Sequence, residues 1–325
     1  MLRVPHLVLP PVLPSSEAIS SFGNTALNYE PEFWEVEYLS YRYLGRIPDR
    51  ELVERYEGIL RNLQAIVCRE RDVIPIQSFL SSWYWFRKEH QTRLELVLRS
   101  VPSTVKPPLD VVFNNIAEGA PVRPRSPNAG DVLFRYDQEK YIRQIAAEGK
   151  IRIRPASEFE KMTGDLARQD DEATKRHFMS GAHTRVTTSD GRPIPVRGDI
   201  QRSVSAPNYY LFCVACDWDR DLFEAFDGAN SCLAITDVES FARRIERVSA
   251  SELPGWYFHH NPVEYFDPYE RTRNEYFSPS MSKDFKFAYQ REYRFVWMPM
   301  AGQTPDGFRF LKAGDLTDVA TVYVR

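Results

Sequence analysis

Ser282-Lys-Asp-Phe-Lys-Phe-Ala-Tyr-Gln-Arg-Glu-Tyr-Arg-Phe-Val-Trp297 is the stretch whose reading decides the fold. From Tyr289 it alternates with the period of a β-strand. Tyr289, Tyr293, Phe295 and Trp297 fall on one side with Arg291, and Gln290, Glu292, Arg294 and Val296 on the other. The aromatic row predicts a face packed on a core. The opposite row sets an amide, a carboxylate and a guanidinium in line, two residues apart. On a solvated strand that row is ordinary surface; lining a cleft, it is a polar site.

Upstream, the second half of the chain reads as short strands with helices between them. Val132–Tyr136 is a predicted strand. Gln138–Glu148 is a helix stopped by Gly149, and Lys150–Arg154 is a strand ended by Pro155. Ser157-Glu-Phe-Glu160 has the form of a capping box, and charged helical sequence continues to about His177. Thr184–Val196 reads as a hairpin around Asp190-Gly191. Asn208–Cys216, Cys232–Ile235 and Gly255–Phe266 read as strands, Asp221–Phe226 and Val238–Val248 as helices, and the residues after Trp297 as a last hairpin. This pattern predicts an α+β domain over 131–325 with a mixed, largely antiparallel sheet.

The first half differs. Residues 1–30 are rich in Pro and Ser and read as an extended arm. Residues 31–100 carry apolar positions at helical spacing in three stretches. Asp49 is the expected N-cap of the second, and the third runs from about Ile76 to Leu98 with Trp83-Tyr-Trp85 on it. Residues 101–130, with Pro107-Pro108 and Pro121-Val-Arg-Pro-Arg-Ser-Pro127, read as a linker.

Composition narrows the function classes. Of 325 residues, 43% are hydrophobic and 27% charged, as in soluble globular proteins. A formal net charge of −3 argues against a general nucleic-acid coat while leaving room for a local basic groove. No apolar run reaches the length of a membrane span, and early prolines interrupt any signal-peptide core. Four scattered cysteines do not make a disulfide framework, so a cytoplasmic protein is expected.

Most chemistry-bearing motifs carry a bland alternative. Cys213-Val-Ala-Cys216 has metal-pair spacing, but thiols three apart on a strand diverge, and no partner motif completes a zinc site. His259 and His260 face opposite ways on a strand. Asp170-Asp-Glu172 reads as a solvated helix face. No phosphate-binding loop, GxGxxG, GxSxG or HExxH is present, and no metal site is expected. What remains is arginine on strands: Arg135 and Tyr136 in Phe134-Arg-Tyr136, and Arg152 and Arg154 in Ile151-Arg-Ile-Arg154. A strand-borne guanidinium opposite a strand-borne carboxylate suits a ligand with a pyrophosphate and a cationic centre, as in NAD.

These motifs, in order from about Asp131 to Trp297, resemble a group of bacterial domains with a Leu-Phe-[Arg/Lys]-Tyr strand, a Pro-Ala-Ser-Glu-Phe segment and a closing Tyr-Gln-x-Glu-Tyr-Arg-Phe. They are similar in turn to the ADP-ribosyltransferase fold. The resemblance implies Glu292 and Gln290 as catalytic, with Arg135, Tyr136, Tyr289 and Ser157 binding NAD as co-substrate. Ser203-Val-Ser205 is the other candidate for the middle motif, and Ser157 is equally a plain capping residue. It implies a mono-ADP-ribosyltransferase acting on a protein or nucleic acid; Arg123 and Arg125, with Arg152 and Arg154, permit the latter, and solvated arginines are the bland reading. A bacterial toxin, effector or phage-defence component, with an inhibitory protein partner, is the corresponding expectation. The alternatives are an NAD glycohydrolase and a non-catalytic binding module.

Overall fold

The computed structural model describes residues 31–63, 82–102, 131–162, 170–181, 184–269, 278–300 and 302–325. Helices α1 (Pro31–Tyr41), α2 (Asp49–Asn62) and α3 (Ser82–Leu98) precede strand β1 (Leu133–Asp137), helix α4 (Glu139–Glu148) and strand β2 (Lys150–Pro155). Strands β3 (Thr174–Ser180), β4 (Val186–Thr187), β5 (Pro193–Ile194), β6 (Asp199–Ser205) and β7 (Tyr210–Ala215) follow. A one-turn helix α5 (Leu222–Ala225), strand β8 (Ser231–Ile235) and helix α6 (Val238–Glu252) lead to β9 (Trp256–Pro262), β10 (Glu264–Phe266) and β11 (Ser282–Asp284). Last come β12 (Glu292–Pro299), β13 (Arg309–Lys312) and β14 (Ala320–Val324). The fold is mixed α+β with a mostly antiparallel sheet. The arm expected over 1–30, the linker expected beyond Pro102 with Arg123 and Arg125, and the expected start of the third helix lie outside the described residues.

By its contacts the chain divides into two units. One comprises the described parts of Met1–Glu118, His177–Arg202 and Asp267–Arg273. Here α3 packs on α1 and α2, burying Tyr38, Leu52, Tyr56, Ile59 and Trp85. Its interior also holds ions. Arg55 clamps Asp267 with two hydrogen bonds of 2.8 Å, and Lys88 adds a third contact at 2.7 Å. Asp49, expected as an N-cap, is instead the first helical residue, following Pro48. The β4–β5 hairpin turns at Asp190-Gly191 as expected, with Gly191 at φ 84°.

The other unit comprises the described parts of Gly119–Arg176, Ser203–Phe266 and Asn274–Arg325. Its eight-stranded sheet runs β13-β2-β7-β1-β8-β14, and β12 pairs with both β7 and β9. Helix α4 buries Ile142, Ile145 and Ala146 against it and ends at Gly149, whose φ of 60° suits glycine. Helix α6 opens under the Asp237 carboxylate, which accepts the Ser240 amide at 2.9 Å. Tyr293, Phe295 and Trp297 of β12 enter the core, and Trp297 Nε1 donates to Ser249 Oγ at 2.7 Å.

Four expectations are corrected. Ser157 does not cap a helix: Pro155 precedes a single 3₁₀ turn, Ala156–Glu158, and the Ser157 hydroxyl accepts from Asn208 Nδ2 at 3.0 Å. The segment read as helix up to His177 contains β3 from Thr174, because Lys175 turns inward to carboxylates rather than lying on a solvated face. Tyr289 and Gln290 are not on a strand. A 3₁₀ segment, Phe285–Gln290, opens where Asp284 accepts the Lys286 amide, Arg291 takes φ 44°, and β12 begins only at Glu292. The terminal residues form no hairpin, since β13 pairs with β2 and β14 with β8.

Candidate functional site

The large sheet is split at β7. On one edge β7 pairs with β12 along its whole length, from Tyr210↔Trp297 to Ala215↔Glu292. On the other it meets β2 only at Tyr210 and Leu211, and β1 only at Ala215. Strands β1 and β2 therefore diverge, leaving the middle of β7 open on that side. A cavity of about 460 Å³ is lined by Arg135 and Tyr136 from β1, Arg152 and Arg154 from β2, Cys213 from β7, and Gln290 and Glu292. That volume suits a small-molecule ligand.

Arg135 bridges the opening. Its Nη1 donates to the Cys213 carbonyl at 2.8 Å and its Nη2 to Asp137 Oδ2 at 2.9 Å. The guanidinium carbon lies 5.2 Å from the Phe212 ring centre. Arg135 Nε is buried and has no hydrogen-bond partner among the described residues, which is costly unless a ligand takes it. The Tyr136 hydroxyl accepts the Asp219 amide at 2.6 Å, its ring meets Phe223 edge-on, and burial pushes its pKa well up, so it stays a phenol. Arg152, Arg154 and Lys161 add positive charge to the wall.

Glu292 stands in a buried charge network. Its Oε2 accepts from Lys283 Nζ at 2.7 Å and its Oε1 from Arg294 Nε at 2.6 Å. Arg294, fully buried, also meets Glu172 at 2.6 Å and the Ser280 carbonyl at 2.8 Å. Lys283 also approaches Glu172 at 3.5 Å and donates to Gln290 Oε1 at 3.1 Å. Lys175 meets Asp170 at 3.2 Å and Glu172 at 3.6 Å. Three carboxylates thus face three cations, which offsets a desolvation cost of several kcal/mol per ion. Burial alone would raise the Glu292 pKa, but Arg294 and Lys283 outweigh it and hold the carboxyl well below its usual range. Lys283 is shifted the other way: Glu292 and Glu172 outweigh burial and keep it protonated. The solvated-face reading of Glu292, Arg294 and Glu172 is therefore overturned.

Of the expected site residues, Arg135, Tyr136, Gln290 and Glu292 line one cavity; Ser157 and Tyr289 are not among its lining residues. Ser157 is joined to Asn208, and Tyr289 accepts from Gln290 Nε2 at 3.2 Å, behind the wall. Ser203 and Ser205 lie on β6, with Ser205 beside Thr174. Lys283 was missed, and Glu172 was read as part of a solvated helix face. Lys283 sat inside the decisive stretch, on β11 and ahead of the alternation counted from Tyr289, where nothing local set it apart from Lys286. Cys213, Cys216 and Cys232 are free, and burial pushes Cys216 up to about 12. Among the described residues no group of three or more His, Cys, Asp and Glu is placed to hold a metal, and no helix is long and apolar enough to cross a membrane. Comparison of the chain with protein-family models, curated proteins and solved structures found no match.

Proposed function

We propose that the cavity binds NAD and that the chain transfers ADP-ribose from it to a macromolecular acceptor. The reading rests on one juxtaposition: Arg135, with a buried N–H unclaimed among the described residues, and an ionised Glu292 line the same cavity. The residues fit the co-substrate. Arg135, Arg152, Arg154 and Lys161 offer donors for a pyrophosphate, and the apolar wall of Phe134, Phe159 and Phe226 suits a flat ring.

NAD contributes a nicotinamide–ribose bond whose cleavage builds positive charge at the anomeric carbon. Glu292, kept ionised by Arg294 and Lys283, faces that charge and stabilises it. Gln290, held beside Glu292 by the shared lysine, orients the acceptor. Arg135 would hold the diphosphate and so orient the reacting carbon towards the carboxylate.

One observation favours a second reading, a binding module without turnover: both Glu292 oxygens are already engaged, by Arg294 and by Lys283. NAD consumption by the purified chain, with and without cell lysate and beside Glu292→Gln, separates the two. Nicotinamide release that depends on acceptor and is lost in the variant is the expected result; release without acceptor identifies a glycohydrolase. NAD bound but not consumed supports the binding module, and neither binding nor consumption removes the NAD reading altogether.

A further inference from the structure

We infer that the outer face of β2 and β13 is a platform for single-stranded nucleic acid, and that this strand is the acceptor brought to the cavity; the second clause rests on the transferase reading above. The register pairs Phe310 with Arg152 and Lys312 with Lys150. Because Ile151, Ile153 and Leu311 turn into the core, Lys150, Arg152, Arg154, Phe310 and Lys312 share the opposite face. Phe308 meets Phe310 edge-on at 5.6 Å, and the two rings are 53% and 41% exposed. Lys150 Nζ lies 4.8 Å from the Phe310 ring centre, and the Arg152 guanidinium 5.8 Å from that of Tyr141, also exposed.

Exposed rings interleaved with cations are what an unpaired strand needs: aromatic faces for bases, and lysine and arginine for phosphates. The chain's net charge of −3 makes this concentration of cations a local feature. Glu158 lies 3.6 Å from Arg154 on this face. A duplex hides its base faces, so rings standing on an open sheet select single strands. Arg152 and Arg154 belong both to this face and to the cavity wall, so a strand laid along β2 and β13 delivers a nucleotide to Glu292.

The test is fluorescence anisotropy of the full chain with labelled single-stranded RNA and DNA of roughly 12 nucleotides, the same sequences as duplex, and phosphatidylcholine–phosphatidylserine vesicles as competitor. Phe308→Ala/Phe310→Ala is expected to weaken single-strand binding about tenfold or more, with an unchanged melting curve and unchanged NAD binding. Lys150→Glu/Lys312→Glu, which leaves the rings in place, is expected to weaken binding and flatten its dependence on log salt by about one to two. The platform is overturned if wild type fails to bind single strands at about 50 mM salt, if the phenylalanine variant binds as wild type does, or if vesicles displace the oligonucleotide outright. Ring-dependent binding by a chain that consumes no NAD overturns the acceptor assignment alone. NAD consumption without strand binding overturns the platform and leaves the transferase reading standing.

Discussion

Lys283 is the residue on which the charge network turns, because it touches Glu292, Glu172 and Gln290 together. Removing its charge takes a cation away from two buried carboxylates, Glu292 and Glu172. Lys283→Met is therefore expected to lose about 3–5 kcal/mol in urea unfolding. The same variant leaves Glu292 with one cation, so its pKa rises towards the ordinary carboxylate range. If Glu292 acts as an anion, NAD consumption by Lys283→Met should fall and its acid limb should move to higher pH. A variant that is destabilised yet keeps the wild-type pH profile would make Lys283 purely structural. Asp267 gives the parallel case: Asp267→Asn leaves Arg55 and Lys88 buried without their anion and should cost a comparable amount.

At the scale of elements, the β1–α4–β2 run shows what local sequence decides. Gly149 stops α4 in the left-handed region, where an added Cβ would meet the Gly314 backbone oxygen at 2.3 Å. Gly149→Ala should thus cost more than about 2 kcal/mol in chemical denaturation, since left-handed strain and a backbone overlap add together. The stop, the strands flanking α4, β8 and α6 were legible because apolar spacing and capping residues agreed. What escaped had non-local causes. β3 looked helical because Lys175 follows Glu172 at helical spacing, whereas nothing local says that its mate is β6. The start of β12 was hidden by period-two spacing that persists through a 3₁₀ segment. β13 and β14 looked like a hairpin because nothing local says that their mates are β2 and β8. At the site, Arg135, Tyr136, Gln290 and Glu292 were legible as types in sequence order; the lysine that pairs with Glu292 was not, because its partners had to be folded into view.

For the molecule as a whole, buried ionisable groups set the response to acid. His90, His177, His259 and His260 are all lowered, chiefly by burial. The unfolded chain therefore takes up protons first, and stability should begin to fall as pH drops below about 6.5. Glu292, Asp267 and Glu95 are held low by their cations. Their contribution is complete above the unfolded carboxylate value of about 4 and is lost as pH falls further towards their folded values. Urea midpoints against pH should thus show two successive declines. Glu292→Gln should lessen the lower decline and leave the upper one intact.

Cys213 stands opposite Arg294 in the β7–β12 register, yet its carbonyl turns away to Arg135. Its amide therefore faces the split, whereas those of Phe212 and Val214 turn to β12. In deuterated solvent Cys213 should trade its proton much faster than either neighbour, although it lies mid-strand in the sheet. A molecule seated against Arg135 would slow that one amide, so occupancy could be watched by isotope exchange before any turnover is known.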